Sequence, residues 1–224
     1  MYSALIVAAG SSTRMNGIDK ILMPINGIPV IVRTCSAFQE NKNISDMVVV
    51  ASENNILKIK SLLPKDKFTK LKSVVLGGSR RQESVLNGLT EVMDSEYVLI
   101  HDGARPFVTQ EIIDRGIEAM KDNDAACCGI PIIDTVKRVE DGAITATLDR
   151  SYLWRAQTPQ IFRTELIIAA FSRYGNEKVT DDAMLLEKMG IKVAMFMGSK
   201  DNIKITEEYD ALLGETILRL REKQ

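Results

Sequence analysis

Ala4-Leu-Ile-Val-Ala-Ala-Gly-Ser-Ser-Thr-Arg-Met15, followed by Asn16-Gly-Ile-Asp-Lys20, carries an apolar strand straight into small residues and then into two cations. A strand that ends in Ala-Ala-Gly keeps little side chain between its backbone and a ligand. The N–H groups of Gly10, Ser11 and Ser12 are thereby open to phosphate oxygens, as in other glycine-bearing anion loops. Arg14 and Lys20 add full positive charges where a polyphosphate would lie, so the segment reads as a nucleoside triphosphate site. It reads equally as a plain turn from strand to helix, with Ser11 or Ser12 as the N-cap. A Walker loop is absent, because the segment ends Thr-Arg-Met rather than Gly-Lys-Ser/Thr. Ser12 and Thr13 stand where a dinucleotide fingerprint needs its later glycines. Neither an ATPase nor a nicotinamide enzyme is favoured.

Working outward, the same rhythm repeats. Strand-like apolar runs are predicted at 4–9, 47–51, 73–76, 97–101, 125–133 and 193–197, and helices at 30–39, 54–63, 81–93, 110–121, 165–173, 181–189 and 207–221. The early strands are continuous Val/Ile/Leu runs, as expected when helices cover both faces of a sheet. The fold predicted is α/β: an open, mostly parallel twisted sheet flanked by helices, with ligands at the carboxyl ends of its strands. One stretch breaks the pattern. Thr135–Val139 and Ile144–Leu148 alternate apolar with polar residues around Glu140-Asp-Gly-Ala143, which predicts a β-hairpin arm leaving the sheet at about 134–158. No linker divides the 224 residues, so one domain with this excursion is expected.

Composition narrows the class. Lys and Arg (29) nearly balance Asp and Glu (30), so no basic surface advertises nucleic acid. No apolar run is long enough for a bilayer, and the first strand begins too early for a signal or transit peptide. Cys35, Cys127 and Cys128 lack metal-ligand spacing, and a reducing cytoplasm is the expected compartment.

The remaining conspicuous sequences follow strands. Gly77-Gly-Ser-Arg-Arg-Gln-Glu-Ser84 opens a helix, with Arg81 and Ser84 one turn apart beside paired glycines. It is either a pocket for a polar ring or a turn bearing solvated arginines. His101-Asp-Gly-Ala-Arg-Pro106 places opposite charges at the mouth of the sheet. Asp102 suits Mg²⁺ or ribose hydroxyls and Arg105 a phosphate, against the bland reading of a pair that braces a loop. His101, the one histidine, reads as a strand-end residue with satisfied hydrogen bonds, and Trp154 as packing at the arm's base. Thr206 is the expected N-cap of the last helix, and Thr180-Asp-Asp-Ala183 reads as a cap with first-turn acids. Lys204 alternates with Ile203 and Ile205, so it is either exposed or aimed into a cleft.

Taken in order, Ala8-Ala-Gly, Arg14, Lys20, Gly77-Gly, Arg81, Ser84-Val, His101-Asp-Gly-Ala-Arg-Pro, Asp134-Thr-Val-Lys, Asp149-Arg150, Gln157-Thr-Pro-Gln, Thr180-Asp-Asp-Ala and Asn202-Ile-Lys-Ile-Thr resemble the 2-C-methyl-D-erythritol 4-phosphate cytidylyltransferase family over nearly the whole chain. The family usually has Pro-Lys-Gln where this chain has Asp19-Lys20-Ile21, a second glycine at Ser12, aspartate at Ser79 and alanine at Gly103. The resemblance implies a Rossmann-like nucleotidyltransferase that joins CTP to methylerythritol phosphate in isoprenoid biosynthesis, with Mg²⁺ or another divalent cation at Asp102. It implies catalytic roles for Arg14, Lys20, Arg150 and Lys204. Substrate contacts fall to Ala8, Ala9, Gly10, Gly78, Arg81, Ser84, Asp102, Gly103, Arg105, Thr135 and Thr158. It further implies a homodimer in which the arm brings Arg150 and Thr135 to a neighbour's site. Ribitol-5-phosphate cytidylyltransferase, a non-catalytic nucleotide-sensing module and a nucleotide-sugar glycosyltransferase are the rival readings. The last usually carries an acidic metal pair where Asp102 stands alone.

Overall fold

The computed structural model describes residues 1–10 and 19–223; Ser11, Ser12 and Arg14 therefore lie outside the described residues. In chain order the elements are β1 (Tyr2–Ala8), β2 (Pro24–Ile25), β3 (Ile28–Pro29), α1 (Val30–Glu40), β4 (Ile44–Ala51), α2 (Ile56–Leu62), β5 (Leu71–Leu76), α3 (Arg81–Leu89), β6 (Tyr97–Asp102) and α4 (Gln110–Ala119). They continue with β7 (Ala125–Pro131), β8 (Lys137–Glu140), β9 (Ala143–Thr147), β10 (Trp154–Arg163), α5 (Thr164–Tyr174), α6 (Ala183–Lys188), β11 (Ala194–Met197) and α7 (Glu208–Arg221).

Seven strands form one sheet in the order β11-β7-β10-β6-β1-β4-β5. β1 pairs in parallel with β4 and β6, β4 with β5, and β7 with β11; β10 alone runs antiparallel, between β6 and β7. The period-two alternation of β1 sends its side chains to two separate cores. Ala4, Ile6 and Ala8 meet Ile31, Cys35 and Phe38 of α1 and Ile112 and Ile113 of α4. Leu5 joins Val85 and Leu89 of α3 and Ile167 and Ala170 of α5 on the opposite face. Burial on both faces is why the strand reads as an unbroken apolar run. A smaller cluster of Ile25, Val30, Phe107, Ile205 and Ile217 seats α7 against the β2–β3 hairpin.

β10 and the β2–β3 hairpin went unpredicted. β10 carries Arg155, Gln157, Thr158, Pro159 and Gln160, and a proline inside a polar run argues against a central strand. The structure accommodates it by a break in register between Ala156 and Gln160, and the Thr158–Pro159 peptide there is cis. Residues 154–158, expected on the arm, thus belong to the sheet, with Trp154 opposite Pro131 and Arg155 opposite Ile130. The hairpin of β8 and β9 forms as expected, turning at Asp141 (φ 49°) and Gly142 (φ 80°), which suits a tight turn with left-handed central residues. Thr206 is not the cap of α7. Glu207 occupies that position, while the Asp210 carboxylate accepts from Thr206 N (2.7 Å), Thr206 Oγ1 (2.7 Å) and Glu207 N (2.9 Å). A carboxylate one turn into the helix is a stronger acceptor for these N–H groups than a neutral hydroxyl.

Candidate active site

The carboxyl ends of β1 and β6 open into a cavity of about 370 Å³. Ala9 and Gly10 line it just past the end of β1, and Gly78, Arg81 and Ser84 from the loop and first turn of α3. Lys20, Asp102 and Lys204 complete the set of predicted residues on its wall. Among its described lining, the cations Lys20, Arg80, Arg81 and Lys204 face the single carboxylate Asp102, a balance suited to an anionic ligand. A second recess of about 240 Å³ shares Arg81, Asp102 and Lys204 and adds Arg105 and Thr158.

Asp102 is the electrostatic hub. Its Oδ2 lies 2.9 Å from Lys204 Nζ and 3.4 Å from Arg105 Nε, and its Oδ1 lies 3.8 Å from Arg81 Nη2. Burial opposes ionisation, but Lys204, Arg81 and Arg105 outweigh it and hold this carboxyl well below the ordinary aspartate range. The reading of Arg105 as Asp102's partner is thus correct but incomplete, since Lys204 approaches more closely. Lys204 is aimed into the cleft, which decides between the two orientations its alternating neighbours allowed.

A chain of neutral hydrogen bonds holds this edge in register. Thr158 Oγ1 accepts from Asp102 N (3.0 Å) and meets His101 Nδ1 at 3.1 Å; His101 Nε2 meets the Arg105 carbonyl at 3.2 Å. Nε2 donates to the Arg105 carbonyl, and Nδ1 accepts from the Thr158 hydroxyl in the neutral imidazole. Burial is the main cause that lowers its pKa to about 4. His101 is therefore the satisfied strand-end residue expected, and it does not face the cavity. Asn202 extends the chain: its Nδ2 donates to the Thr158 carbonyl (2.9 Å), and its own carbonyl accepts from Arg105 Nη1 (2.8 Å). Two residues later the same segment presents Lys204.

At the α3 loop, the Gly77–Gly78 pair is required by close approach and not by left-handed backbone. A Cβ on Gly77 would stand 2.5 Å from Ala9 Cβ and 2.7 Å from Ser84 Oγ. Ser84 Oγ accepts from Gly78 N (3.1 Å) and lies 3.1 Å from the Arg80 carbonyl, so the hydroxyl braces the glycine loop. Glu83 accepts from Ser79 N and Oγ and from Arg80 Nε, which pulls its carboxyl down to about 2. Arg81 donates to Asp182 through both terminal nitrogens, at 2.8 and 2.7 Å.

Two of the positions that depart from the family pattern, Asp19 and Gly103, have local reasons. Asp19 Oδ1 accepts from Ile21 N (3.0 Å), so a side-chain turn sets the backbone around Lys20 where the family uses proline. At Gly103 a Cβ would sit 3.1 Å from both Ala8 Cβ and the Val7 carbonyl, a tight fit that glycine relieves. Gly103 itself lies under the cavity floor, donating to the Val7 carbonyl (2.9 Å) and accepting from Thr34 Oγ1 (2.9 Å). Ala8 is buried beneath the floor as well, its carbonyl taken by Asn55 Nδ2 (3.2 Å). Thr135 and Arg150 are elsewhere: both are exposed on the arm, where Arg150 Nη1 donates to the Ile133 carbonyl (2.6 Å).

Asn55, Gln157, Gln160, Asp182 and Asn202 are all buried polar residues around the site; Asn55 was not singled out in the sequence, and the other four stood inside quoted motifs with no binding or catalytic role given to them individually. Asn55 bridges Ala8 and Asp19 Oδ2 (2.9 Å), and Gln157 Nε2 donates to the Ser199 carbonyl (2.8 Å). The Gln-Thr-Pro-Gln and Thr-Asp-Asp-Ala motifs were the available signal. Their partners lie some tens of residues away, where local pattern is blind.

The family model described as IspD, 2-C-methyl-D-erythritol 4-phosphate cytidylyltransferase, matches residues 2–220. A 2-C-methyl-D-erythritol 4-phosphate cytidylyltransferase of Dehalococcoides mccartyi is 44% identical over 96% of this chain and 95% of its own length. The one from Clostridioides difficile is 42% identical over 100% and 96%. The crystal structure of 4-diphosphocytidyl-2C-methyl-D-erythritol synthase from Anaerococcus prevotii superposes with a TM-score of 0.87 at 32% identity, covering 97% of this chain and 98% of that one. The ordered motifs, the sheet and the cation-lined edge agree with these likenesses, and the chain belongs to the 2-C-methyl-D-erythritol 4-phosphate cytidylyltransferase family.

Proposed function

We propose that this chain transfers the cytidylyl group of CTP to 2-C-methyl-D-erythritol 4-phosphate, giving 4-diphosphocytidyl-2-C-methyl-D-erythritol and pyrophosphate for isoprenoid synthesis. The observation that carries this is the gathering of Lys20, Arg81 and Lys204 around one cavity at the carboxyl edge of the sheet, in a member of the named family. A phosphate monoester loses its second proton near pH ~6, so the acceptor arrives as a dianion and needs no general base. The barrier is electrostatic: a dianion must approach a triphosphate in line. Fixed cations that cost no reorganisation are the economical answer.

Lys20, with Arg14 six positions earlier in the sequence, neutralises charge on the triphosphate and the departing pyrophosphate. Lys204 and Arg150 hold the attacking phosphate, and Arg105, Asp102 and Thr135 seat the polyol. No group of three or more His, Cys, Asp or Glu side chains suited to a metal exists among the described residues, and Asp102 Oδ2 is already engaged by two cations. A closed cage of protein ligands is therefore absent among the described residues, and Asp102 is the carboxylate at the cavity that would meet a divalent cation brought in with the triphosphate. The divalent cation, Mg²⁺ or another, belongs to the substrate as the counter-ion of CTP, because Mg²⁺ commonly draws its ligands from phosphates, water and one or two carboxylates.

The protein works as a homodimer in which the arm completes a neighbour's site. Supporting this, Arg150 and Thr135 stand outside the cavity of their own chain, and the arm exposes Ile133 (82%) and Tyr152 (83%). The cytoplasm is its compartment: all three cysteines are free, and no helix among the described residues is long and apolar enough to cross a membrane.

The test is pyrophosphate release from CTP and Mg²⁺ with methylerythritol phosphate, with ribitol 5-phosphate, and with no acceptor. Release with the first alone is expected. Preference for ribitol 5-phosphate would identify the rival cytidylyltransferase, and CTP binding without turnover would identify a sensor.

A further inference from the structure

The Thr180-Asp-Asp-Ala183 motif, expected only to start a helix, supplies the carboxylate that engages Arg81. Asp182 is fully buried, and both its oxygens are taken by the guanidinium of Arg81. Its own placement is fixed from β10: Gln160 Oε1 accepts from Asp182 N (3.2 Å) and Ala183 N (3.1 Å), while Gln160 Nε2 donates to Asp181 Oδ2 (2.8 Å). Withdrawing a carboxylate from water costs several kcal/mol per ion, and a buried pair is often no more stabilising than an apolar one. Stability alone therefore gives a weak account of Asp182.

The geometry of Arg81 supplies a better one. The same Nη2 that is 2.7 Å from Asp182 Oδ2 is 3.8 Å from Asp102 Oδ1, so two acids compete for one cation. Asp102 in turn holds Lys204 at 2.9 Å. Bidentate pairing with Asp182 wins because the fork geometry of arginine matches a carboxylate edge. While it wins, Asp102 keeps its strongest contact for Lys204.

We propose that Asp182 is a positioning residue: by anchoring Arg81 it stops that guanidinium from taking over Asp102, and so leaves Lys204 correctly placed in the active site. The role rests on the proposed function only in assigning Lys204 to the attacking phosphate; the competition itself is a structural statement.

Asp182→Asn keeps the shape and removes the charge. In a crystal structure of this variant, Arg81 moves into direct contact with Asp102 and the Lys204 ammonium leaves its position. Turnover falls by roughly a hundredfold, as for a reacting group displaced by about 1 Å, with a much smaller change in KM for CTP. Arg81 itself lines the cavity and stays in place in the control: a folded Asp182→Glu variant, which keeps the anchoring charge but not the shape, retains more of kcat than Asp182→Asn, the reverse of what loss of packing alone would give. If circular dichroism shows Asp182→Asn unfolded, the same measurements fall to Gln160→Met, which loosens Asp182 while keeping its charge and is expected to show a smaller defect of the same kind. An unchanged contact between Lys204 and Asp102 in folded Asp182→Asn, or a folded Asp182→Glu variant no faster than Asp182→Asn, overturns the proposal. Failure of the wild-type chain to release pyrophosphate would instead strike the functional assignment and leave the competition standing.

Discussion

The carboxyl edge of the sheet and the arm are both rich in charge, yet they are built on opposite terms. At the edge, Asp102 and Arg105 are nearly buried and every contact is shared: Thr158, Asn202 and His101 each serve two partners. On the arm, β8 and β9 pair only with each other, and Lys137 and Arg150 donate to neighbours on the same excursion, Thr147 Oγ1 and the Ile133 carbonyl. Low dielectric and mutual restraint make the edge a fixed array of charges; the exposed arm is screened by water and salt. Charge pattern alone does not distinguish a site from a solvated face. Burial and reciprocity do.

The sharpest way to break this contrast is to remove a cation from the edge. Lys204→Ala is expected to lower kcat by about 10²–10³-fold, the usual result of deleting one preorganised charge contact, with the fold retained by circular dichroism. A near-normal kcat would mean that the edge array is structural only. Arg150→Ala, on the arm, should lose activity to a comparable degree if the arm serves a neighbouring site. Co-refolding it with Lys204→Ala should then restore part of the activity, and confirmed mixed dimers without recovery would confine each site to one chain.

Smaller effects concern stability. His101 titrates at about 4 in the folded chain, chiefly because it is buried, against ~6.5 unfolded. Between those values the unfolded chain binds the extra proton, so stability rises with pH. Up to about 3 kcal/mol is present above pH ~6.5 and is lost as pH falls toward 4. Denaturant titrations across this window should show the slope, and His101→Gln should flatten it. Thr158→Val strips the hydroxyl from between Asp102 N and His101 Nδ1, leaving two buried groups unpaired. It should cost about 1–3 kcal/mol in the same assay. An arm substitution of similar size, Thr145→Val, should stay within about 0.5 kcal/mol.

Legibility followed the same division. The parallel strands announced themselves because β1 and β4 are buried on both faces, and the arm because its residues alternate around Asp141-Gly142. β10 stayed hidden, since a strand whose polar side chains are consumed by loops from elsewhere has neither apolar continuity nor alternation. In the site, Asp102, Arg81 and Lys204 were visible as charged residues at strand or helix ends. The choice of partners was not, because Asp182 stands 101 positions from Arg81 and Asn202 stands 97 from Arg105. Thr180-Asp-Asp-Ala looked like a cap because only its immediate neighbours could be consulted.

The reversed direction of β10 has an architectural result. β7 ends and β10 begins at the same rim of the sheet, so the chain can wander off between them and come home without a crossover helix. Lengthening or trimming that excursion leaves the spacing of all seven strands untouched. The molecule thus carries a free parameter beside its reactive centre: reach can evolve there while the chemistry stays where it is.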